Sequence, residues 1–146
     1  MSETKYGLRV DAAGDNPTTE VTVYAPNIIR VTKYADGLKA MPAKRSFSVL
    51  MAPGEESAKW TVEGATLSTA CVTVKVDEAT GEVSFVDGKG NTLLAESAAG
   101  VVTPITEGVD KGYYRIAQSW KLGRGEAIYG LGQRRSPKLN QRGEDV

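Results

Sequence analysis

Apolar and polar residues alternate through most of this sequence, and this period of two restricts the chain to β-structure. In the clearest run, three valines alternate with polar residues, at Val72, Val74 and Val76. Successive side chains of a strand point to opposite faces, so such a run has one buried and one solvated face. Similar short runs occupy 6–11, 20–25, 28–34 and 58–63, and the longer period of a helix appears almost nowhere. The sequence therefore predicts an all-β domain.

Turn residues separate these runs at regular intervals. Gly81 can supply the positive φ that closes a hairpin between the valine strand and 82–86, and an Asp-Gly-Lys-Gly-Asn stretch reverses the chain before 92–94. These three strands should form a meander, and the overall pattern predicts a two-sheet antiparallel β-sandwich. The longest strand is expected at 112–122, with one apolar face that carries Tyr114, Ile116, Trp120 and Leu122.

Composition excludes several classes of function. The chain has 146 residues, enough for one domain, with 18 basic and 18 acidic side chains, no His and one Cys. The even charge balance argues against a nucleic-acid surface, and no apolar run approaches the roughly 20 residues of a membrane span. Without His, a cysteine pair or a phosphate-binding loop, we expect neither a metal site nor a cofactor. The single thiol, Cys71, is expected to be a small buried hydrophobe.

Acidic side chains are the other catalytic candidates, because glycoside hydrolysis needs two carboxyl groups roughly 5–9.5 Å apart. The sequence has three adjacent pairs, at 55–56, 77–78 and 144–145. The first two lie in expected turns and the third at the chain end, so a solvated surface role is favoured for all of them. We therefore predict no catalytic residue in this chain.

Aromatic side chains could form a platform for sugar rings, whose C–H faces pack on Trp and Tyr. Trp60 and Trp120 lie on strands and are more simply explained as core residues. Tyr24, Tyr34 and Tyr113 fall on expected outward or edge faces, where single exposed tyrosines are also ordinary.

The C-terminal part carries the most specific motifs, Glu-Ala-Ile-Tyr-Gly-Leu-Gly-Gln at 126–133 and Leu-Asn-Gln-Arg-Gly at 139–143. In this order and spacing they resemble the N-terminal domain of glycoside hydrolase family thirty-one, the α-glucosidase and α-xylosidase family. The hairpin at 74–94 and the strand at 21–31 are similar to that family as well. The resemblance therefore spans most of the chain.

The resemblance implies a galactose-mutarotase-like β-sandwich that packs on a catalytic (β/α)8 barrel. In that family, two aspartates of the barrel give retaining cleavage of α-linked glycosides, and no position here matches those catalytic motifs. The chain alone is thus expected to be inactive, whereas the parent would be a glycoside hydrolase. The expected division is a sandwich at 1–133 and, at 134–146, the start of a loop that leads toward the barrel.

The family's loop beyond the Tyr-Gly-Leu-Gly strand helps to shape the substrate pocket, which makes three residues candidates here. Gln133, Asn140 and Arg142 would lie in the substrate loop or at the domain boundary, where they could bond to sugar hydroxyls or to a barrel carboxylate. Asn140 and Arg142 could instead pair within the loop. Leu139 is the only apolar anchor that the sequence suggests for 134–146.

Two other functions stay open at this point. The chain could be a freestanding carbohydrate-binding module that stacks sugars on exposed aromatic residues, or a structural sandwich of a cell-surface protein. The expected partners are the barrel of the same parent chain and an α-linked oligosaccharide, with neither nucleic acid nor membrane. Localisation is undetermined, although the resemblance to bacterial xylosidases suggests a periplasmic or secreted parent.

Overall fold

A computed structural model of the chain describes residues 1–14, 16–34, 48–54, 58–132 and 138–143. Within these ranges the fold is all β, and no helix capable of crossing a membrane occurs there. The strands are β1 (Ser2–Thr4), β2 (Gly7–Val10), β3 (Thr18–Ala25), β4 (Ile28–Tyr34), β5 (Trp60–Glu63), β6 (Thr66–Thr69), β7 (Val72–Val76), β8 (Val83–Asp87), β9 (Thr92–Pro104) and β10 (Tyr114–Trp120).

The strands form two antiparallel sheets, which confirms the predicted fold class. One sheet has the order β1-β2-β3-β4 and the other the order β10-β9-β8-β7-β6-β5. Within each sheet the described strands pair in sequence order, because the connections return the chain beside the strand it has just left, whereas β4 and β5 lie in different sheets. The predicted meander is β7-β8-β9, and Gly81 closes its first turn with a φ of 74°.

The core lies between the two sheets and is built from the apolar residues that alternate with polar ones along the strands. It consists of fully or nearly fully buried side chains from both sheets: Leu8, Val10, Val21, Val23, Ala58, Leu67, Val74, Val76 and Val83. Trp60 packs against this cluster half-buried, which agrees with its expected core role. Burial of each large apolar side chain stabilises the fold by about 1.5–3 kcal/mol.

A buried ion pair also joins the sheets. Lys33 of β4 donates to the Glu96 carboxylate of β9 over 2.7 Å, with side chains 9% and 0% exposed. Glu96 further accepts a hydrogen bond from the Val83 backbone N–H at 2.7 Å and one from the Gln118 side chain. A Cβ on Gly100 would lie 2.9 Å from Cδ of Lys33, so glycine gives the lysine stem room to cross β9. Together these contacts place β4 over β8 and β9.

The predicted burial of the last strand is wrong. β10 forms within the expected range of 112–122, but it is not the longest described strand, because it has seven residues whereas β9 has 13. Every side chain of β10 is exposed, including Ile116 at 76% and Trp120 at 37%. The reason is that the four-stranded sheet ends above β9, so β10 has no described layer opposite it. Cys71 is also exposed rather than buried, because it lies in the short turn between β6 and β7.

Candidate functional site

The candidate site is the stretch that follows β10, here called the motif loop and made of residues 121–132 and 138–143. It leaves the sheet at Lys121, whose N–H donates to the carbonyl of Ala95 at 2.8 Å. A tight turn follows, in which Glu126 N–H donates to the Gly123 carbonyl and Gly123 N–H donates to the Glu126 carboxylate at 2.6 Å. Gly125 permits this turn with a φ of 84°. The motif loop therefore starts from a locally closed structure.

Arg142, at the other end of the motif loop, stabilises the turn at 123–126. Its Nη1 donates to two backbone carbonyls, those of Gly123 and Glu126, each at 2.7 Å. A guanidinium suits this task because its planar array of donors can bond to two acceptors at once. Arg142 thus bonds to backbone groups that lie 19 and 16 residues before it in the sequence.

Asn140 and Gln141 hold the middle of the loop at a single residue, Ile128. Oδ1 of Asn140 accepts from the Ile128 N–H and from the Arg142 N–H, both at 3.1 Å. Gln141 N–H donates to the Ile128 carbonyl at 2.8 Å. The 138–143 segment is therefore joined to the 126–128 backbone by one backbone–backbone hydrogen bond and by the side chains of Asn140 and Arg142.

Gln141, which the sequence did not single out, is the buried residue of this segment. It is 6% exposed, and its Nε2 donates to the Lys138 carbonyl at 2.6 Å. Among the described residues, its Oε1 is the only buried side-chain polar atom without a hydrogen-bond partner. The expected anchor Leu139 is instead 81% exposed. Hydrogen bonds, most of them from side chains, rather than apolar burial thus hold the segment. Apolar patterning carries no signal for such bonds.

The Tyr-Gly-Leu-Gly motif adopts an unusual backbone. Gly130, Leu131 and Gly132 have φ values of 88°, 64° and 88° in succession. The left-handed region costs a non-glycine residue roughly 1–2 kcal/mol, and Leu131 is the one such residue in the described part of the chain. The conformation leaves Tyr129 69% exposed and Leu131 53% exposed. Two large apolar side chains are therefore held at the surface by a strained turn.

Two of the three candidate residues lie together in this loop. Asn140 and Arg142 are both exposed, and their internal bonds use the Asn140 oxygen and the Arg142 Nη1. No described residue bonds to Asn140 Nδ2 or to the Nε and Nη2 groups of Arg142, so these groups are available as donors. The third candidate, Gln133, lies outside the described residues.

The described acidic side chains form no metal-binding cluster. No group of three potential metal ligands occurs among them. Asp77 accepts backbone N–H bonds from Ala79 at 2.9 Å and Thr80 at 2.8 Å, and these bonds, that of Thr80 first, lower the pKa of its carboxyl group. Asp77 of the 77–78 pair therefore stabilises the turn in which it lies. The acidic pairs at 55–56 and 144–145 lie outside the described residues.

Two of the three tyrosines that the sequence placed on outward or edge faces are buried. Tyr24 and Tyr34 are 8% and 5% exposed, and the hydroxyl group of each bonds to a polar side chain of the four-stranded sheet. Arg30 donates to the Tyr24 hydroxyl at 3.3 Å, and the Tyr34 hydroxyl donates to Glu20 at 2.9 Å. Of the three tyrosines, only Tyr113 is exposed, at 70%. Of the three candidate tyrosines, Tyr113 alone thus offers an exposed ring.

Comparison with known proteins identifies the family of the chain. The model for the glycosyl hydrolase 31 N-terminal galactose mutarotase-like domain matches residues 18–146, and this match includes the whole motif loop. The chain belongs to this family. A solved GH31 α-xylosidase from Xanthomonas citri is similar over 100% of the chain, with 28% identity and a TM-score of 0.78. The chain spans 16% of that protein's length.

Membership in this GH31 N-terminal domain family confirms the resemblance drawn from the two C-terminal motifs and the upstream strands. The two C-terminal motifs are the segments that the hydrogen bonds of Asn140, Gln141 and Arg142 bring together. Residue types and spacing located the motif loop, but its closure by bonds between 123–128 and 140–142 became visible only in three dimensions.

Proposed function

We propose that this chain is the non-catalytic N-terminal domain of a retaining α-glycosidase of the α-xylosidase or α-glucosidase type. In this proposal the sandwich packs on a (β/α)8 barrel, and the motif loop contributes one wall of the substrate pocket. Family membership and the similarity to an α-xylosidase about six times as long support a place within a larger hydrolase. Residues 1–133 would form the sandwich and 134–146 the path toward the barrel.

The observation that carries the proposal is the surface of the motif loop. Tyr129, Leu131 and Leu139 are 69%, 53% and 81% exposed, although the surrounding backbone is closed by hydrogen bonds. Large apolar groups held at the surface of an ordered loop mark an interaction site rather than an unfinished core. A protein interface would bury these side chains and recover their hydrophobic free energy.

The polar groups at the same place indicate what the partner must offer. Asn140 Nδ2 and the outer nitrogens of Arg142 are donors, so the partner must supply acceptors there. A barrel carboxylate would form charge-assisted bonds with Arg142, and a sugar hydroxyl would accept more weakly. We assign Arg142 first to the domain boundary and second to the α-linked oligosaccharide. Gln133 is assigned to the same boundary from its place in the motif.

The test is the kinetics of the full-length enzyme on an aryl α-xyloside and an aryl α-glucoside. Asn140→Ala and Arg142→Ala should each lower kcat/KM by about tenfold or more, equivalent to about 1.4 kcal/mol of transition-state stabilisation. Arg124→Ala is the matched control, because Arg124 is an exposed arginine of the same turn that bonds to no described residue. It should change kcat/KM by less than about twofold.

The chain of residues 1–146 alone should hydrolyse neither substrate. Turnover by this chain that Glu126→Gln abolishes would refute the non-catalytic role. Wild-type kinetics in both full-length variants would refute the contribution of the motif loop to the pocket.

A further inference from the structure

A row of polar side chains lies on the outer face of the four-stranded sheet, which points away from the six-stranded one. In the register of β3 with β4, Glu20 pairs with Thr32. Two residues further along β3, Thr22 pairs with Arg30. Paired residues share a face of the sheet, and successive residues of a strand alternate between faces. Because Val21, between Glu20 and Thr22, is fully buried in the core, these four side chains point to the outer face.

A cleft of about 280 Å³ opens on this face and is here called the outer cleft. The four polar side chains line it together with Tyr6, Tyr24 and Pro53. A Cβ on Gly54 would lie 2.9 Å from two ring carbons of Tyr6, so this ring packs against the 53–54 segment. The Gly54 N–H donates to the Val23 carbonyl at 2.9 Å, which ties that segment to β3. The Tyr6 side of the outer cleft is therefore held in place by the sheet.

Hydrogen bonds within the outer cleft orient its polar groups. The Tyr34 hydroxyl donates to one oxygen of the Glu20 carboxylate at 2.9 Å, and the Thr22 hydroxyl donates to the other at 3.4 Å. Arg30 donates to the Tyr24 hydroxyl at 3.3 Å. These groups are thus positioned before a ligand arrives, and such preorganisation lowers the entropic cost of binding.

Three of the polar groups keep hydrogen-bonding capacity for a ligand. A carboxylate can accept about four hydrogen bonds, and described residues give Glu20 two of them. The Tyr24 hydroxyl accepts a bond from Arg30 but donates to no described residue. The Thr32 hydroxyl, on a half-buried side chain, bonds to none of the residues that the structure describes. The outer cleft therefore offers an acceptor, a donor and a group that can act as both.

The charges that line the outer cleft favour a neutral ligand. Glu20 would repel an anion, whereas Arg30 and Lys5 would repel a cation. The Lys5 ammonium group lies 4.9 Å from the centroid of the Tyr6 ring, so its charge is close to the same wall. A ligand without net charge that both donates and accepts hydrogen bonds meets these conditions.

A sugar ring has this chemistry. Each hydroxyl both donates and accepts, so neighbouring hydroxyls of one ring can donate to the Glu20 carboxylate and accept from the Tyr24 hydroxyl. The C–H groups of the sugar pack well on aromatic and apolar rings, which Tyr6 and Pro53 supply here. The volume of the outer cleft lies near the lower end of ligand pockets, roughly 300–1,000 Å³, and therefore suits a single ring.

We propose that the outer cleft binds one ring of a neutral oligosaccharide, with Glu20, Tyr24 and Thr32 bonding to its hydroxyl groups. The site is separate from the motif loop, which follows an edge strand of the other sheet and none of whose described residues lines the outer cleft. The inference therefore does not depend on the proposed function. Such a site would retain a polysaccharide on the protein without taking part in its cleavage.

Affinity electrophoresis of the full-length protein tests this site, with soluble starch and a soluble xylan as neutral probes and polygalacturonate as the anionic probe. Thr32→Val removes the hydroxyl and keeps the β-branched shape that suits a strand. Glu20→Gln is a second variant, which removes the charge at nearly constant size. Thr61→Val is the matched control, because Thr61 is an exposed threonine of β5 that bonds to no described side chain.

The expected result is selective weakening of binding to a neutral polysaccharide. At least one neutral probe should retard the wild type, and Thr32→Val and Glu20→Gln should each raise its dissociation constant by about fivefold or more, the effect of one lost hydrogen bond. Thr61→Val should change the dissociation constant by less than about twofold. No retardation of the wild type by either neutral probe, equal binding by Thr32→Val and Thr61→Val, or stronger binding to polygalacturonate would overturn the proposal.

Kinetics on an aryl α-xyloside separate this site from the substrate pocket. Thr32→Val and Glu20→Gln should leave kcat/KM within about twofold of the wild type, because the outer cleft takes no part in cleavage. A loss of kcat/KM that parallels the loss of retardation would place the binding in the pocket and overturn the proposal. A full-length protein that is inactive but shows retardation sensitive to Thr32→Val would count against the proposed function alone.

Discussion

The ammonium group of Lys33 lies 2.7 Å from a carboxylate oxygen of Glu96, and this contact links a strand of one sheet to a strand of the other. Lys33 also donates to the Gly81 carbonyl at 2.7 Å, while Glu96 accepts further bonds from Val83 and Gln118. Nearly all polar atoms of the pair are thus satisfied inside the protein. The ion pair fixes how the two sheets overlap, and hence how far β10 extends beyond them.

Breaking this ion pair on one side should destabilise the domain strongly. Lys33→Met leaves the Glu96 carboxylate buried without its counter-charge and should lower the free energy of unfolding by about 3 kcal/mol. The double variant Lys33→Met/Glu96→Gln should lose less, because no unpaired charge remains buried. Urea denaturation measures both. Lys75→Met, at an exposed lysine of β7, is the control and should change stability by less than about 0.5 kcal/mol.

A side chain at Gly7 should also destabilise the domain. A Cβ there would lie 2.0 Å from the carbonyl oxygen of Val21, which belongs to the paired strand and cannot move freely. Gly7→Ala should therefore lower the free energy of unfolding by about 2 kcal/mol or more. Gly88→Ala, where a Cβ meets nothing within 4 Å, should be nearly neutral in the same denaturation experiment.

Two turn aspartates should make the domain less stable in acid. Hydrogen bonds from the Thr80 backbone lower the pKa of Asp77, and the Asn91 side chain lowers that of Asp87. In the unfolded chain both carboxyl groups take up protons near the ordinary aspartate pKa of 3.8, whereas in the folded protein they do so only at lower pH. The stabilisation that the two carboxylates give is therefore lost as the pH falls through their folded pKa values.

Replacing both carboxylates should weaken this dependence on pH. The variant Asp77→Asn/Asp87→Asn should lose less stability than the wild type between about pH 5 and about pH 2.5 in urea titrations. Glu78→Gln is the control, because the Glu78 side chain bonds to no described residue. An unchanged slope in the double variant would show that other groups dominate acid unfolding.

Arg142→Ala should loosen the motif loop without unfolding the sandwich. Removal of the bonds to the Gly123 and Glu126 carbonyls should speed amide hydrogen exchange at 123–128 by about tenfold. Because the loop is exposed, the global free energy of unfolding should fall by less than about 1 kcal/mol. Faster exchange across all strands would instead show that Arg142 supports the whole domain, and Arg124→Ala provides the comparison.

Local patterns in the sequence were sufficient to locate most of the strands, but they did not predict β1 or β6 and they covered only the first residues of β9. The alternation of Val72, Val74 and Val76 predicts β7, and Gly81 predicts the turn after it, because both signals involve only neighbouring residues. The C-terminal motifs likewise located the motif loop. Contacts distant in sequence were not predictable in this way: neither the cross-sheet pair Lys33–Glu96 nor the burial of Gln141 leaves a periodic trace.

The sequence by itself determined which residues of this protein share a face, because side-chain alternation is a property of the single strand. It predicted correctly that Ile116 and Trp120 belong to an apolar face. Only the tertiary structure decided that this face is uncovered in the described chain, since burial depends on whether another layer lies opposite. The same holds for Tyr34, which lies at an expected outward position yet is buried by its surroundings.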